Sequence, residues 1–308
     1  MVSLEVNIGG VKLKNPVIAA SGCFGYGEEF SSLIDINRLG AVVIKGLSIN
    51  PRAGNPPPRI VEVSAGMLNS IGLQNIGLKK FLEDKLPFLK SIDVPKIINF
   101  FGESIEEYQE MAERLDDIGG IDLLEMNISC PNVKKGGLSF GNDPKIVSKL
   151  VSIVKRSTRI PLVVKLSPNV GNVVDIAKSA EWSGADALSL INSITGMAID
   201  IKNRKPKLST VTGGLSGPAI KPIALHMVWK VAKEVNIPVI GIGGIMDYED
   251  VLEFLIAGAT AIEVGTANFI NPRVTIDIID GIEEYLKEND IDNIKYLIAS
   301  LNVEELEC

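Results

Sequence analysis

Cys130 stands in the run Asn127-Ile-Ser-Cys-Pro-Asn132, which continues as Val-Lys-Lys-Gly-Gly-Leu-Ser-Phe-Gly141. A thiol with an ordinary pKa of about 8.5 suits a base working close to neutrality, and Lys134 or Lys135 beside it would lower that value. Free cysteines most often pack in cores. The glycines and lysines after this one instead describe a polar segment able to open and close over a substrate. Cys23, in Ser21-Gly-Cys-Phe-Gly25, and Cys308, the last residue, read as a packing residue and a terminal one. Three cysteines fall short of the four thiolates that an iron–sulfur cluster normally takes, and His226 is the only histidine. Serine–histidine–aspartate hydrolysis and histidine-rich zinc sites are thereby excluded. Chemistry here falls to Lys, Cys, Asn, backbone amides or a bound cofactor.

Three other groups of residues could serve that chemistry. Lys45 closes the apolar run Val-Val-Ile-Lys-Gly and Lys165 closes Leu-Val-Val-Lys-Leu-Ser. Strand alternation puts Val43 with Lys45, and Val163 with Lys165, on one face. If that face is inward, each ammonium needs an anionic partner or ligand; the alternatives are a head that snorkels to water or a Schiff-base lysine. Glu125 shares a face with Asn127, and Glu263 with Gly265, so one of these carboxylates is expected to neutralise a barrel lysine. Asn69, Asn99, Asn127, Asn132 and Asn192 each offer a donor beside an acceptor, the complement of a cyclic N–H/C=O edge such as a pyrimidine or flavin ring. Any one of them alone reads as a turn residue; together they suggest an amide-bearing ligand. Gly241-Ile-Gly-Gly244 and Gly265-Thr266 let backbone N–H groups approach an anion, either as a phosphate site or as plain turns.

The elements that must position these groups recur in order. The pattern predicts strands over Pro16–Ser21, Ala41–Gly46, Lys96–Phe101, Asp122–Ser129, Leu162–Ser167, Ala185–Asn192, Pro238–Gly243 and Ala261–Gly265. Each is nearly continuous in Val, Ile and Leu, as parallel strands covered on both faces are. Helical patterns lie over Ser104–Ile118, Pro144–Ser157, Val173–Ser183, Pro218–Val235, Tyr248–Ala257 and Val274–Glu288, several opening on a Ser, Asn or Asp cap. Eight such strands indicate a (β/α)8 TIM barrel filling residues 1–308 as a single domain. The competing open sheet would want G-x-G-x-x-G after an early strand, which this sequence lacks. Two long connections, Leu47–Pro95 and Ser193–Ile237, leave from strand C-terminal ends, where barrels build active sites; lids or substrate walls are expected there. Leu4–Ile8 and Val11–Lys14, joined by Gly9-Gly10, read as a hairpin closing the opposite end. At the C-terminal rim the order is Ser21, Lys45-Gly46, Asn99, Asn127 with Cys130 beyond it, Lys165, Asn192-Ser193, Gly243-Gly244 and Gly265-Thr266. Rim carboxylates are scarce, which argues against sugar hydrolysis and Mg²⁺ chemistry.

Composition bounds the partners. Of 308 residues, 46% are hydrophobic and 22% charged, and 31 basic against 38 acidic side chains give a net charge of −7. A nucleic-acid surface needs a concentrated basic face, and no Lys/Arg run supplies one. The amino terminus has no basic stretch followed by an apolar one, and no uncharged apolar run is long enough for a membrane span. A cytoplasmic protein is expected.

In this order and spacing the motifs resemble the class 1 dihydroorotate dehydrogenases. The segments that carry the resemblance are Ala20-Ser21-Gly22, Ile44-Lys45-Gly46, Asn69-Ser-Ile-Gly-Leu73, Asn127-Ile-Ser-Cys-Pro-Asn132, Lys165, Asn192-Ser193, Gly243-Gly244 and Gly265-Thr266. The resemblance implies an FMN barrel that oxidises dihydroorotate to orotate in pyrimidine biosynthesis. It implies Cys130 as the base at C5 while the flavin takes up the C6 hydride, and Lys165 near flavin N1/O2. Lys45 is implied between flavin and the substrate carboxylate. Asn69, Ser70, Ile71, Gly72, Leu73, Asn127, Asn132, Asn192 and Ser193 are implied around the substrate. Ser21, Lys45, Gly46, Asn99, Asn127, Lys165, Ile191 and Gly217 are implied against FMN, with Gly243, Gly244, Gly265 and Thr266 at its phosphate. A cysteine at the base position and the Val133–Gly141 stretch resemble the NAD-linked B type, whose catalytic chains form a homodimer core working with a subunit that carries FAD and a [2Fe-2S] cluster. The alternatives are a fumarate-linked A type, another FMN-dependent dihydropyrimidine enzyme and, more remotely, a Schiff-base aldolase.

Overall fold

The computed structural model describes residues 2–129 and 140–303. Eight parallel strands close into a barrel in strictly sequential order. They are β1 (Val17–Ala19), β2 (Ala41–Val43), β3 (Lys96–Phe100), β4 (Leu123–Asn127), β5 (Leu162–Lys165), β6 (Ala187–Leu190), β7 (Val239–Ile242) and β8 (Ala261–Val264). Closure runs through β8, whose Glu263 stands beside Ile18 of β1. Nearly every strand residue is buried, because helices cover the outer face while side chains fill the inner one. Each strand falls within the span predicted for it and ends one to three residues earlier, so Lys45, Asn192, Gly243 and Gly265 lie in the turns just beyond the ladder. That placement frees them to face a ligand.

The six predicted helices are all present, from Ile105–Asp116 to Val274–Glu288. Their starts are set by short polar side chains: Ser104 accepts from Glu107 N, Asp143 from Lys145 N, Asn172 from Val174 N and Asp247 from Asp250 N. Each cap satisfies an amide that the helix cannot, worth about 1 kcal/mol. Gly241 turns out to serve this packing layer: a Cβ there would stand 2.5 Å from Phe254 Cδ1, so the glycine lets a helix lie close on β7. No helix among the described residues is long and apolar enough to cross a membrane.

The two long connections are more than loops. The one after β2 holds two helices, Gly77–Asp84 and Leu86–Ser91, and two strands, Ile60–Val63 and Gly66–Asn69. The one after β6 supplies Ile194–Met197 and Thr212–Ser216. These four strands form one antiparallel sheet in which Thr212–Ser216 pairs with Ile194–Met197 on one side and Gly66–Asn69 on the other. It stands over the C-terminal rim as a wall. At the opposite end the hairpin Val6–Ile8 and Val11–Leu13 plugs the barrel. Ile8 and Leu13 are wholly buried, and a Cβ on Gly9 would touch Asp186 and Pro161 at 3.1 and 3.2 Å. Entry to the interior is therefore from the rim.

Candidate active site

Under the rim lies a buried charge cluster. Lys165, at the end of β5, places Nζ 3.3 Å from Glu125 Oε2 on β4 and 3.0 Å from Glu263 Oε2 on β8. All three are almost entirely shielded from solvent. Glu125 is further held by Ser189 Oγ at 2.7 Å and Asn99 Nδ2 at 2.5 Å. Thus β3, β4, β5, β6 and β8 each contribute one polar side chain to the cluster: Asn99 stands beside Glu125 and Ser189 beside Lys165, which is itself in register with Asn127, two residues beyond Glu125. Burial alone would raise Glu125; the Lys165 charge and these donors overcome it and hold the carboxylate below its usual range. Glu263 goes the other way, pushed well above that range by burial and by the neighbouring Glu125. Both carboxylates flank the barrel lysine, whose own pKa they raise against the cost of burial.

The asparagines form a second layer. Asn192 Nδ2 donates to Ser129 Oγ, which donates at 2.6 Å to Asn127 Oδ1. The Asn127 carbonyl is fixed by the buried Tyr108 hydroxyl at 2.7 Å. With its oxygen engaged, Asn127 leaves its amide N–H₂ free among the described residues. Asn99 is the reverse case: its N–H₂ is spent on Glu125, and its buried Oδ1 has no donor among the described residues. The wall sheet carries Asn69 to the same place, where its Nδ2 donates to Gly214 O at 3.3 Å, opposite Ser193. Beyond Asn69 the chain turns through Gly72 (φ +76°) and Leu73 (φ +56°). The N–H groups of Ile71, Gly72 and Leu73 find no protein acceptor among the described residues, and the buried Ser70 Oγ has no partner there either.

Of the glycines after β7 and β8, Gly244 lies against Gly217 and Gly265 against Cys23 and Ala20. A Cβ on Gly244 would lie 2.7 Å from Lys221 N and 2.9 Å from Gly217 O, and one on Gly243 would press on Ala224 and Ile191. Thr266 Oγ1 bonds Ser216 Oγ at 2.8 Å, joining the β8 turn to the end of the wall sheet. The backbone N–H groups of Gly243, Gly244, Gly265 and Thr266 are unengaged among the described residues. Such a cradle suits an anion that accepts several hydrogen bonds.

Lys45 and Ser21 complete the near rim. Ser21 lies in the turn after β1, where Cys23 N bonds Ala20 O. Lys45 is half-buried, pairs with no carboxylate among the described residues, and is held below the usual lysine range by burial and by the Arg59 charge. Arg59, in the proline-rich run after Asn55, bonds Gln74 Oε1 at 2.7 Å and likewise meets no carboxylate. Two cations without an anion mark where a carboxylate belongs. Cys23, read from sequence as packing, also reaches this rim. Its Sγ would stand 3.5 Å from a Cβ on Gly265, and burial outweighs Lys165 to push its thiol up to about 11. It stays a neutral thiol at physiological pH. Gly46 lies against Asn99, where a Cβ would come 2.8 Å from Oδ1. Of the predicted site residues, Cys130 and Asn132 lie outside the described residues; the others gather around this rim.

The dihydroorotate dehydrogenase family model matches residues 3–286. This chain belongs to the dihydroorotate dehydrogenase family. It is 57% identical over 298 residues to the dihydroorotate dehydrogenase B (NAD⁺) catalytic subunit of Geotalea uraniireducens, covering 97% of this chain and 98% of that one. It is 56% identical over 300 residues to the protein of the same name from Geobacter sulfurreducens, at the same coverage. Among solved structures, a dihydroorotate dehydrogenase from Eimeria tenella in complex with ferulenol superposes with a TM-score of 0.79 at 23% identity, covering 96% of this chain and 88% of that one. At that identity the likeness speaks for the barrel.

Proposed function

We propose that this chain is the FMN-bearing catalytic subunit of an NAD-linked dihydroorotate dehydrogenase, acting in cytoplasmic pyrimidine biosynthesis. A homodimer core and a partner subunit with FAD and a [2Fe-2S] cluster belong to the same reading. The observation that carries it is near-full-length identity to B-type catalytic subunits, on a barrel whose rim offers the matching donors and acceptors.

The residues present fit FMN. Asn99 Oδ1 is a buried acceptor that a ring N–H satisfies, and the four free amides of Gly243, Gly244, Gly265 and Thr266 suit a phosphate. When bound, FMN supplies the two-electron acceptor. Ser21, Gly46, Ile191 and Gly217 line its place, and Lys165 offers positive charge to its pyrimidine edge, where negative charge grows on reduction. Lys45, with Arg59 behind it, draws the substrate carboxylate, helped by the amides of residues 71–73. Asn69, Asn127, Asn132, Asn192 and Ser193 read the ring edge of the substrate. Cys130 takes the C5 proton.

The deciding experiment adds dihydroorotate anaerobically to the purified chain and follows the flavin band. Bleaching that neither NAD⁺ nor fumarate reverses supports a catalytic subunit awaiting its partner. Reoxidation by fumarate overturns the B-type assignment, and a colourless, well-folded protein overturns the flavoenzyme reading.

Two smaller effects follow from the geometry. Gly244→Ala must place a side chain at φ +74° against Lys221 N, so FMN affinity is expected to fall at least about tenfold, the equivalent of about 1.4 kcal/mol of backbone strain. Flavin retained after gel filtration measures this. Lys45→Met removes the cation from the carboxylate site and is expected to raise KM for dihydroorotate about tenfold or more. In the wild type the Lys45 charge disappears at a lower pH than for an ordinary lysine. The rise of KM on the alkaline side should therefore vanish in the variant.

A further inference from the structure

The cluster around Lys165 contains one more carboxylate than its charge requires. Lys165 is 6% exposed, Glu125 0% and Glu263 1%, so no solvent screens the excess. Two ionised carboxylates on one ammonium would leave a net negative charge in the barrel interior, which burial makes costly. The hydrogen bonds tell the two acids apart. Both oxygens of Glu125 are supplied with donors, from Ser189, Asn99 and Lys165. Glu263 receives Lys165 on Oε2, but its buried Oε1 has no donor among the described residues. An ionised oxygen cannot be left so; a protonated one becomes a donor, and Glu125 is the acceptor beside it.

We propose that Glu263 is a positioning residue that carries a proton shared with Glu125, so that Lys165 is gripped from two strands by two acids bearing a single negative charge. The cluster is then electroneutral, and the ammonium is fixed where the flavin's pyrimidine edge binds, without a second anion to oppose electrons arriving there. The direction in which Glu263 titrates agrees with this assignment. The flavin's place beside Lys165 rests on the FMN reading; the shared proton does not.

A shared proton gives a pattern of variants that simple structural roles do not. In Glu263→Gln the amide donates to Glu125 and accepts from Lys165, so the charge is unchanged. In Glu125→Gln the remaining acid faces Lys165 alone and ionises, so the charge is again unchanged. In the double variant the ammonium stands uncompensated.

The test combines two measurements on the full chain. Infrared difference spectra on H₂O/D₂O exchange should show the carbonyl stretch of a buried protonated acid in the wild type. That band should be absent from both single variants, with melting curves confirming that each is folded. The flavin midpoint potential should stay within about a twofold change in the oxidised-to-reduced ratio for Glu263→Gln and Glu125→Gln. The double variant should move it at least tenfold, which is about 30 mV for a two-electron couple. A wild type without the acid band, or a Glu263→Gln potential raised by itself by the equivalent of a tenfold ratio, means that Glu263 is ionised and overturns the proposal. The infrared arm needs no flavin, so a chain that fails to bind FMN refutes the cofactor reading while leaving the shared proton decided on its own.

Discussion

Exchanging Cys130 for serine is expected to slow reduction of the bound flavin by dihydroorotate at least about 100-fold, the scale of a lost general base, while the yellow colour of the protein is retained. A thiol deprotonates within reach of neutral pH, whereas a serine hydroxyl needs an additional base to do so. Two other titrating groups of the rim are unsuited: Lys165 is committed to two carboxylates, and Cys23 is held protonated by burial. Stopped-flow reduction across pH separates the possibilities. A wild-type rate that climbs through the thiol's titration, absent in the variant, assigns the proton transfer to Cys130. Equal rates at every pH would remove it from the mechanism.

Lys165→Met is expected to have the largest effect on folding. It leaves Glu125 and Glu263 buried without a countercharge, and breaking a buried ion pair from one side costs about 3–5 kcal/mol. Glu263 already holds its proton more tightly folded than unfolded, where a glutamate titrates at about 4.3, and without Lys165 the buried Glu125 does so too. Groups with raised folded pKa values lend their stability below the unfolded value and lose it as pH rises. The variant should therefore lie nearest the wild type in acid and fall further behind toward pH 8. In the wild type Lys165 has a raised pKa, so its own contribution is constant over that range and is lost only far into alkali. Melting temperatures of both proteins at pH 5 and 8 check this. A deficit that does not grow with pH would mean that water enters and screens the pair.

The barrel was legible because parallel strands buried on both faces announce themselves as apolar runs, and the helices because Ser104, Asp143, Asn172 and Asp247 mark their starts. Face alternation foretold that Glu125 and Glu263 could meet a barrel lysine. The wall sheet was not legible. Thr-Gly-Gly-Leu-Ser over 212–216 lacks the β-branched density of a strand, and its partner Asn69 is 145 residues away from Gly214. Its pairing is a tertiary event that local propensity does not encode. Cys23 and Arg59 were missed for a related reason. One sits among small residues that read as packing and the other in a run of prolines; barrel closure carries the first to Lys165, and the folding of the connection after β2 carries the second back to Lys45. Gly241 errs in the opposite sense, a glycine beside two anion-site glycines whose work is to admit Phe254. Knowing that glycine is required does not say whether backbone, ligand or neighbouring helix requires it.

The wall sheet also constrains how such an enzyme can change. Thr212–Ser216 is zipped on one edge to Ile194–Met197 of its own connection and on the other to Gly66–Asn69 of the connection after β2. Neither segment can gain or lose a residue in the paired stretch without throwing the other out of register. If Asn69 and Ser193 read the substrate as proposed, its preference is inherited through two distant stretches of gene as one unit. A chimaera that borrows the connection after β2 from a relative, but keeps its own after β6, should misalign Asn69 against Ser193; borrowing both should carry the donor's preference across intact.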